Sequence, residues 1–486
     1  MMIMTKLTFY GGVNEVGGNK IFLEDDDTRL FFDFGFSFAS SKKYYGDFLR
    51  PRKFSGLGDY FEFGILPDIP GIYRDDYLIK MDREPTTKPN IDGVFLTHAH
   101  ADHCWDVSFL HKDVPIYCGE TCELILKAVQ TSSFTRFGMD FHTYLEAFAD
   151  RRRRPRHKRI FNTFRTGKTI KVNDVDIEPI HVDHSIPGAY GLIIHTTSGC
   201  IVYTGDFRLH GTRGDMTRDF IEKAKECKPD IMICEGTRIR EKPGFTEDEV
   251  RKEVSKYIKK TKGLVIANFP GKDTDRLNSF IHACKENDRK LAITTKQAFL
   301  LETLKADKGF SVPDINDESI LIYLHRAGWG LITEDGYDVK EIEKDYAQWE
   351  DKYLNYENIV TCKDIIKKQK EIVLYCDFYD LHELIDIKPK EGSRFIHSLS
   401  EPHDEEQEID FERMTNWLDH FNLPLLQAHA SGHISGEEIR NVVSEIQPKK
   451  VIGIHTDDPE GFKTVVGRRS SAKIIIPEYG KSMKAK

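Results

Sequence analysis

The sequence lacks a long hydrophobic run, because no apolar stretch approaches the roughly 20 residues that a membrane-spanning helix needs. Its first residues have neither the long apolar segment nor the small-residue cleavage site of a secretory signal. Its nine cysteines include no Cys-x-x-Cys pair, and Cys118 and Cys122 are separated by three residues. We therefore expect a cytoplasmic protein whose cysteines are mostly small buried residues rather than ligands of a structural zinc ion.

An excess of positive charge is also absent. The net charge is -9, which argues against a uniformly basic surface, so any binding of nucleic acid must use a local basic groove and bound metal. Hydrophobic residues make up 39% of the chain and charged residues 31%, a balance that is typical of globular proteins. A chain of 486 residues is expected to form two or three folding units.

The pattern of predicted secondary structure changes twice along the chain. Short strands predominate at first, apart from a polar and aromatic stretch between Ser37 and Asn90. Helices and strands then alternate, as in a parallel sheet with crossover helices, before histidine-bearing strand ends return. We therefore expect one β-rich domain formed by residues 1–210 and 423–486, with an α/β domain inserted at 211–422.

The densest chemical feature is the segment His-Ala-His-Ala-Asp-His at residues 98–103, which follows the apolar strand Gly93–Leu96. It places four candidate zinc ligands in six residues of a chain that has only 19 histidines. On an extended segment His98 and His100 project to one side, and the turn through Asp102 and His103 can face a second ion. Ordinary hydrogen-bonded histidines explain this density poorly, so the segment predicts a paired-metal site.

Four donors cannot complete the coordination of two metal ions, so distant ligands are required. His184 in Val-Asp-His-Ser-Ile-Pro-Gly and Asp206 in Tyr-Thr-Gly-Asp-Phe-Arg both lie where a strand gives way to a loop. Either segment alone is more often an ordinary turn. Together with the cluster, they are the expected remaining ligands.

The order of these motifs, beginning with Asp33 in Phe-Phe-Asp-Phe-Gly, resembles the four motifs of the metallo-β-lactamase superfamily. The resemblance implies an α/β fold, an αββα sandwich, that binds two Zn²⁺ ions, with Mn²⁺ as an alternative. In that family Asp33 would orient the site without binding metal. The resemblance assigns the ligands as His98, His100 and His184 for one ion, Asp102 and His103 for the other, and Asp206 for both.

The long insertion after Asp206 resembles the β-CASP branch of the superfamily and, within it, the ribonuclease J family. Further family motifs have counterparts at Glu235 in Cys-Glu-Gly-Thr-Arg, His433 in Ala-Ser-Gly-His-Ile-Ser and His455 in Ile-Gly-Ile-His. By resemblance, His455 is the last ligand of the second zinc ion, and Glu235 holds His433, which protonates the leaving group. The implied catalytic residues are Asp102, Asp206, Glu235 and His433.

The segment from His429 to His433, His-Ala-Ser-Gly-His, is suited to binding phosphate. Its small residues let backbone N–H groups approach an anion, and the His429 imidazole and Ser431 hydroxyl can donate to it. In the ribonuclease J family a similar segment holds phosphates near the cleaved bond. We therefore expect His429, Ser431, Gly432 and His433 to bind RNA, and a pocket for a 5′-monophosphate would favour stepwise 5′-to-3′ digestion.

The chain departs from the family pattern after His455. Thr-Asp-Asp-Pro follows this histidine where ribonuclease J usually has Gly-Glu, so the contact that orients it is not predicted. Only 31 residues follow His455, whereas bacterial ribonuclease J carries a C-terminal domain. We therefore expect the short, archaeal-type architecture, in which assembly through that domain is not available.

The resemblance implies a zinc-dependent ribonuclease acting on single-stranded RNA, exonucleolytic on 5′-monophosphorylated ends, with endonucleolytic cleavage and a homodimer left open. A DNA nuclease of the same branch, or an endonuclease of the mRNA 3′-end type, is the first alternative, since only the resemblance favours RNA. A small-molecule hydrolase such as a lactonase is a second alternative, which the large insertion disfavours. A metal-bound but inactive RNA-binding protein is a third, which the full ligand set disfavours.

Two features outside these motifs are candidates for contacts with RNA. The basic run at residues 151–159 is either a solvated loop or a contact to the phosphate backbone. Arg276, Phe269 and Trp329 could line an RNA channel, with helix packing and core burial as the competing explanations.

Overall fold

The computed structural model describes residues 4–46, 48–133, 137–146, 155–328, 345–401, 405–468 and 470–485. The chain divides into two compact units. The first unit comprises Met1–Leu209, Arg213–Pro243 and Gly432–Lys486, and the second comprises His210–Thr212 and Gly244–Ser431.

Two seven-stranded sheets form the first unit. The strands of one sheet are, in spatial order, β23 (Met483–Lys484), β1 (Lys6–Phe9), β2 (Ile21–Asp25), β3 (Thr28–Phe32), β4 (Gly93–Phe95), β5 (Ile116–Gly119) and β8 (Phe161–Phe164). Those of the other are β22 (Lys473–Ile475), β21 (Lys450–Ile454), β13 (Ile231–Glu235), β12 (Gly199–Tyr203), β11 (Ala189–Thr196), β10 (Val175–Val182) and β9 (Ile170–Val172). A separate antiparallel pair consists of β6 (Thr143–Leu145) and β7 (Arg156–Lys158).

The direction of the strands in the second sheet determines where functional loops meet. β10 and β12 are both antiparallel to β11, so they run in the same direction. β12, β13 and β21 are parallel neighbours. The carboxyl ends of β10, β12, β13 and β21 therefore lie along one edge of the sheet, where ligands of α/β proteins commonly bind.

The core of the first unit lies between the two sheets. Alternate residues of the strands point inward, as Ile21 and Leu23 do on β2 and Ile177 does on β10. Phe95 of one sheet and Tyr190 of the other belong to the same buried cluster. This sandwich of two sheets fixes the loops at its edge, because each loop starts from a strand that is packed on its inner face.

Helices cover the outer face of the second sheet. Three of them contribute to a second buried cluster: Gly214–Glu226, Gly436–Ile446 and Pro459–Gly467. The other helices of this unit are Phe38–Lys42, Gly58–Glu62, Asp75–Ile79, Ala101–Cys104 and Glu120–Ser132, with 3₁₀ turns at Lys53–Ser55 and Trp105–Phe109. The Gly436–Ile446 helix begins with a capping box of Ser435 and Glu438, so the chain enters it in a fixed direction directly after His433.

The described part of the basic run includes a buried arginine, which neither interpretation of the run predicted. Residues 151–154 lie outside the described residues. Arg156 and Lys158 are exposed on β7, whereas Arg159 is buried and donates to the backbone oxygens of Leu110 and Ser108. At least this last arginine is a structural residue, because a buried guanidinium needs several acceptors.

The second unit is built on a seven-stranded sheet in which every pair is parallel, as the alternation of helices and strands predicted. Its strands are, in spatial order, β17 (Ile359–Val360), β16 (Ile320–Tyr323), β15 (Lys290–Thr294), β18 (Ile372–Tyr375), β14 (Val265–Asn268), β19 (Arg394–His397) and β20 (Leu425–Gln427). Its helices are Glu247–Lys260, Thr274–Glu286, Thr295–Leu304, Cys362–Lys367, Glu383–Ile387 and Glu405–His420, with 3₁₀ turns at Asp351–Asn355 and Phe378–Asp380. Buried clusters cover both faces of this sheet, as a parallel sheet requires.

Two of the three candidate channel residues, Arg276 and Phe269, have structural roles. Arg276 is completely buried, pairs with Glu247 through Nε at 2.8 Å, and donates to the backbone oxygen of Ala430 at 3.1 Å. Phe269 lies in the buried core, in ring contact with Tyr375. Trp329 lies outside the described residues. Helix packing and core burial, the competing explanations, therefore account for Arg276 and Phe269.

The helix Gly214–Glu226 and strand β13 belong to the first unit, although the alternation of helices and strands predicted an insertion at residues 211–422. The reason is that β13 pairs in parallel with both β12 and β21. Strand β20 belongs to the second unit because it pairs with β19.

Within the described ranges, no helix is both long enough and apolar enough to cross a bilayer. All nine cysteines are described, and all are buried except the partly exposed Cys227.

Candidate metal centre

The predicted ligands lie at the ends of strands of the first unit. His184 follows β10, Asp206 follows β12 and His455 follows β21, so the shared direction of these strands brings the three residues to one edge. The cluster from His98 follows β4 of the other sheet and turns into the helix Ala101–Cys104. Both sheets therefore contribute to the same site.

The first group of ligand atoms surrounds His100 Nδ1. His98 Nε2 lies 3.1 Å from this atom, and His184 Nε2 lies 3.0 Å from it. Asp206 Oδ2 lies 3.7 Å from His98 Nε2 and 3.8 Å from His184 Nε2. The ligands of a tetrahedral zinc ion, with bonds of about 2.0–2.2 Å, lie roughly 3.3 Å apart, so these four residues fit one ion.

The second group of ligand atoms surrounds His455 Nε2. This atom lies 3.2 Å from His103 Nε2 and 3.1 Å from Asp102 Oδ2. Asp206 Oδ2 lies 3.1 Å from His103 Nε2 and 3.6 Å from His455 Nε2. Asp206 therefore lies within reach of both groups, and the second group also fits one ion.

Asp206 provides a test of whether the site suits cations. The residue is 2% exposed, and its Oδ1 atom is buried without a hydrogen-bond partner in the part of the chain that the structure describes. A buried charged oxygen left without a partner costs at least about 1–3 kcal/mol. A cation beside this carboxylate would remove that cost, so the donor set fits a metal-binding site.

Asp33 holds one side of the cluster. Its Oδ2 atom accepts hydrogen bonds from His103 Nδ1 at 2.8 Å and from the Tyr203 hydroxyl at 2.6 Å. Thr97 donates to Asp33 through its backbone N–H at 2.7 Å, and His98 Nδ1 in turn donates to the Thr97 hydroxyl at 3.0 Å. Because Nδ1 of each ring carries the donated proton, Nε2 of His98 and His103 is the ring atom directed at the cluster.

Backbone and hydroxyl acceptors orient the two remaining Nε2 ligands. His184 Nδ1 donates to the backbone oxygen of Gly432 at 2.6 Å, and a side chain on Gly432 would begin 2.4 Å from Ser185 Oγ. His455 Nδ1 donates to the Thr237 hydroxyl at 2.8 Å. Thr237 therefore provides the contact that the unusual sequence after His455 had left unpredicted.

A glutamate–histidine pair lies beside these groups. Glu235 Oε2 accepts from His433 Nδ1 at 2.9 Å and from the Thr237 hydroxyl at 2.8 Å, and Oε1 accepts from the backbone N–H of Phe207. His433 Nδ1 lies 3.9 Å from Asp206 Oδ2, and its side chain is 21% exposed. Burial lowers the pKa of His433, but the charges of Glu235 and Asp206 outweigh it and raise the pKa to about 9.

The electrostatics of the site differ between the ligands. Burial lowers the pKa of His103, but the charges of Asp206, Asp33 and Asp102 outweigh it and raise the pKa well above its usual value. Burial, followed by the charge of His103, holds the pKa of His98 well below its usual value. Burial, followed by the charge of His100, does the same for the pKa of His184. Burial raises the pKa of Asp206, but the nearby His103 outweighs it and the net pKa lies well below the usual range. Metal coordination requires neutral imidazoles and an ionised carboxylate, so His98, His184 and Asp206 favour the metal-binding forms, whereas a cation at His103 must displace a proton.

The predicted phosphate-binding segment is divided between the units, with His429 and Ser431 in the second and Gly432 and His433 in the first. His429 Nδ1 lies 3.2 Å from the backbone oxygen of Ser398, and burial, followed by the charge of Arg276, lowers the pKa of His429 to about 3. The Ser431 backbone oxygen accepts from His210 Nε2 at 2.9 Å. These contacts hold the segment in place, and phosphate binding stays a prediction.

Sequence reasoning did not find three residues that orient the ligands: Thr97, Tyr203 and Thr237. Tyr203 and Thr237 stand inside motifs that were recognised for Asp206 and Glu235, but nothing local distinguishes their hydroxyls from ordinary ones. Thr97 immediately precedes His98, and its role depends on Asp33, which is 64 residues away. Only the tertiary structure brings these partners together.

Comparison with known proteins agrees with this geometry. Residues 76–249 match a family model described as "Beta-lactamase superfamily domain". Over these residues the chain is similar to the metallo-β-lactamase fold. The matched residues include the cluster from His98 to His103, together with His184, Asp206 and Glu235.

The chain is also similar to proteins named Ribonuclease J. The protein of Mycoplasma pneumoniae (strain ATCC 29342 / M129 / Subtype 1) is 26% identical over 465 residues, which cover 93% of this chain and 68% of that one. The protein of Helicobacter pylori (strain J99 / ATCC 700824) is 26% identical over 294 residues, covering 59% and 36%. Ribonuclease J 2 of Streptococcus pyogenes serotype M3 is 23% identical over 326 residues, covering 65% and 50%. The archaeal-type architecture stays a prediction.

A solved structure resembles the whole chain. It is titled as a protein of unknown function from Enterococcus faecalis V583, with a TM-score of 0.73 and 21% identity over 99% of this chain and 100% of that one. At this identity the likeness concerns the fold alone.

Proposed function

We propose that the chain is a two-zinc ribonuclease that hydrolyses phosphodiester bonds of single-stranded RNA in the cytoplasm, in the 5′-to-3′ direction from 5′-monophosphorylated ends. The observation that carries the proposal is Asp206, which lies within reach of two groups of nitrogen and oxygen ligands. The Glu235–His433 pair beside this carboxylate supports a nucleic-acid hydrolase, and the similarity to proteins named Ribonuclease J supports RNA as the substrate.

Each group of residues has a defined task in this proposal. Two divalent cations, when bound, lower the pKa of a water molecule toward neutrality and neutralise charge on the phosphate. His98, His100 and His184 would hold one cation, and Asp102, His103 and His455 the other. Asp206 would contact both, and Asp33 would keep His103 in the binding tautomer.

His433 would act as the general acid. Its Nδ1 is committed to Glu235, so a protonated ring offers Nε2 to the departing sugar oxygen. Glu235 is buried and takes a further hydrogen bond from Phe207 N, which fixes its orientation. Proton donation by a positioned histidine typically contributes a factor of about 10²–10⁴ to the rate.

The direction of digestion rests on the segment from His429 to His433. We propose that the His429 imidazole, the Ser431 hydroxyl and the backbone around Gly432 bind a 5′-phosphate. We further propose that the inserted α/β unit is a β-CASP domain. Both assignments come from the resemblance to the ribonuclease J family, and the choice of RNA end tests the first of them.

The test is digestion of one RNA sequence that carries a 3′ fluorophore and either a 5′-hydroxyl, a 5′-monophosphate or a 5′-triphosphate. We expect stepwise shortening of the monophosphorylated strand, loss of activity in metal-depleted protein, and recovery with Zn²⁺ or Mn²⁺. Asp206→Asn should be inactive, whereas His195→Ala, at a partly exposed strand residue that pairs with Glu178, should match the parent protein.

Other outcomes would change the assignment. Internal fragments would retain the ribonuclease but remove the exonucleolytic direction. Faster cleavage of DNA of the same sequence would replace RNA as the substrate. Metal-loaded protein that leaves both polymers intact, or that hydrolyses lactones instead, would refute the nuclease proposal.

A further inference from the structure

A pair of cysteines lies in close contact in the first unit. The sulfur atoms of Cys200 and Cys227 are 2.6 Å apart. Non-bonded heavy atoms rest at roughly 3.5–4.0 Å, and a disulfide bond measures about 2.05 Å, so the two thiols are much nearer to bonding than to ordinary packing. The contact joins residues that are far apart in sequence, so it is not an accident of adjacent positions.

The surrounding structure holds the two cysteines together. Cys200 is the second residue of β12, is 8% exposed, and belongs to the same buried cluster as Phe220 and Ala224 of the following helix. Cys227 ends that helix, with its backbone N–H bonded to the Lys223 oxygen at 3.2 Å. Strand and helix therefore fix the position of both sulfur atoms.

A second set of hydrogen bonds closes the same region from the other side. Asp230 donates its backbone N–H to the Cys200 oxygen at 2.8 Å, and its carboxylate accepts from the Cys200 N–H at 3.3 Å. The chain after Cys227 is thus bound to β12 three residues later. Neither cysteine can move far from the other without breaking these bonds.

We propose that Cys200 and Cys227 form an internal disulfide bond when the chain reacts with a soluble aliphatic disulfide such as glutathione disulfide. Cys227 is the attacking residue because it is partly exposed. Contact with Cys227, followed by burial, raises the pKa of the Cys200 thiol, so Cys200 reacts second.

The reaction balances in two exchanges. The Cys227 thiolate attacks one sulfur of glutathione disulfide, forming a mixed disulfide and releasing one glutathione thiolate. The Cys200 thiolate then attacks the Cys227 sulfur, forming the internal bond and releasing the second glutathione. The protein loses two protons and two electrons, and the small disulfide gains both to become two thiols.

The cross-link would close a ring of chain that contains Asp206. A ring of this size restricts the unfolded chain, and we expect the oxidised protein to melt about 3–6 °C above the reduced protein. The prediction does not depend on the proposed ribonuclease activity, because its measurements are thiol content and melting temperature.

The experiment uses the full chain, first reduced and then incubated with glutathione disulfide. Thiols are counted by alkylation of denatured protein, and linked peptides are identified by mass spectrometry without reduction. We expect the nine thiols to fall by two, with Cys200 and Cys227 in one linked peptide. The rise in melting temperature should disappear in Cys227→Ser and remain in Cys284→Ser, a matched change of a buried cysteine in the second unit.

Three results would overturn the proposal. The first is a full count of nine alkylated thiols after oxidation. The second is a linked peptide that joins other cysteines, and the third is a mixed disulfide with glutathione that persists at Cys227. If Cys200→Ser does not fold, Cys227→Ser, at the partly exposed position, still distinguishes these outcomes.

Discussion

Thr237 is the residue whose removal tests the metal centre most selectively. Its hydroxyl accepts a hydrogen bond from His455 Nδ1 at 2.8 Å and donates one to Glu235 Oε2 at 2.8 Å. It therefore connects a predicted ligand of the second metal ion to the Glu235–His433 pair. Thr237→Val keeps the size of the side chain and removes only the hydroxyl, whereas Thr237→Ser keeps the hydroxyl.

The expected effect of Thr237→Val follows from the lost hydrogen bonds. The buried imidazole N–H of His455 loses its acceptor, and an unsatisfied buried group costs about 1–3 kcal/mol. Loss of a residue that orients a metal ligand typically weakens metal binding or activity by about 10–100-fold, which corresponds to roughly 1.4–2.8 kcal/mol. The two estimates agree, so we expect one metal ion to bind about 10–100-fold more weakly while the other is unaffected.

Competition with a chromogenic chelator measures this difference directly. Thr237→Val should titrate one strong and one weakened ion per chain, with lower kcat at limiting metal and an unchanged KM for RNA. Thr237→Ser should restore both ions and most of the kcat. The reasoning is refuted if the valine variant keeps two ions of parental affinity, or if the serine variant loses metal as the valine variant does.

The other predictions concern separate contacts. Asp206→Asn should lose bound metal and cleavage while circular dichroism reports an intact fold, and near-normal turnover would disprove its position between the ions. His433→Ala should lower kcat by about 10²–10⁴ with metal content unchanged, because only proton donation is lost, and an effect on KM alone would argue against that role. Burial, followed by the charge of Asp377, raises the pKa of Asp380 to about 6, so its ionisation costs stability as pH rises from about 4 through 6. Asp380→Asn should therefore raise the free energy of unfolding in urea at pH 8 by at most about 3 kcal/mol, an upper bound that solvent screening reduces. At pH 4 the substitution should leave the free energy of unfolding unchanged. Arg159→Ala should destabilise the first unit by about 1–3 kcal/mol because two buried backbone oxygens lose their donor, whereas Arg156→Ala on the exposed strand should melt like the parent.

Local sequence was sufficient for the parts of the structure that local forces determine. The apolar strand before His98, the small spacers between the histidines and the turn at Asp102 are all within a few residues of one another. The regular alternation of helices and strands likewise predicted the parallel sheet of the second unit. In both cases the signal and the structure it specifies occupy the same stretch of chain.

The boundary between the units depended on contacts that sequence does not display. The helix Gly214–Glu226 and strand β13 alternate just as the elements of the second unit do, so this alternation predicted that they belong to the insertion. Their place is decided by strand pairing, because β13 lies between β12 and β21. Such a choice between two sheets is made by tertiary contacts, which hydrophobic periodicity does not record.

The orienting contacts were hidden for a related reason. Gly432 was predicted to bind phosphate, which stays a prediction, and the sequence did not indicate that its backbone oxygen holds His184 or that its lack of a side chain leaves room for Ser185. A backbone acceptor has no sequence signature, since every residue offers the same carbonyl oxygen and only its position in the fold differs. The ligands could therefore be recognised by residue type, and their supports could not.

The carboxylates of the site give a further reason to expect cations. Asp33, Asp102, Asp206 and Glu235 are close together, and within the described ranges their ion pairs are with histidines and not with lysine or arginine. Buried negative charges without basic partners are costly, and neutral histidines do not offset them. Positive charge must come either from protons on the histidines or from bound cations. The hydrogen bonds of Asp33 and Thr237 keep protons on Nδ1 and direct Nε2 of His103 and His455 at the carboxylates. The same carboxylates raise the pKa of His103, so a proton and a cation compete for its Nε2, and binding of the cation is expected to release the proton.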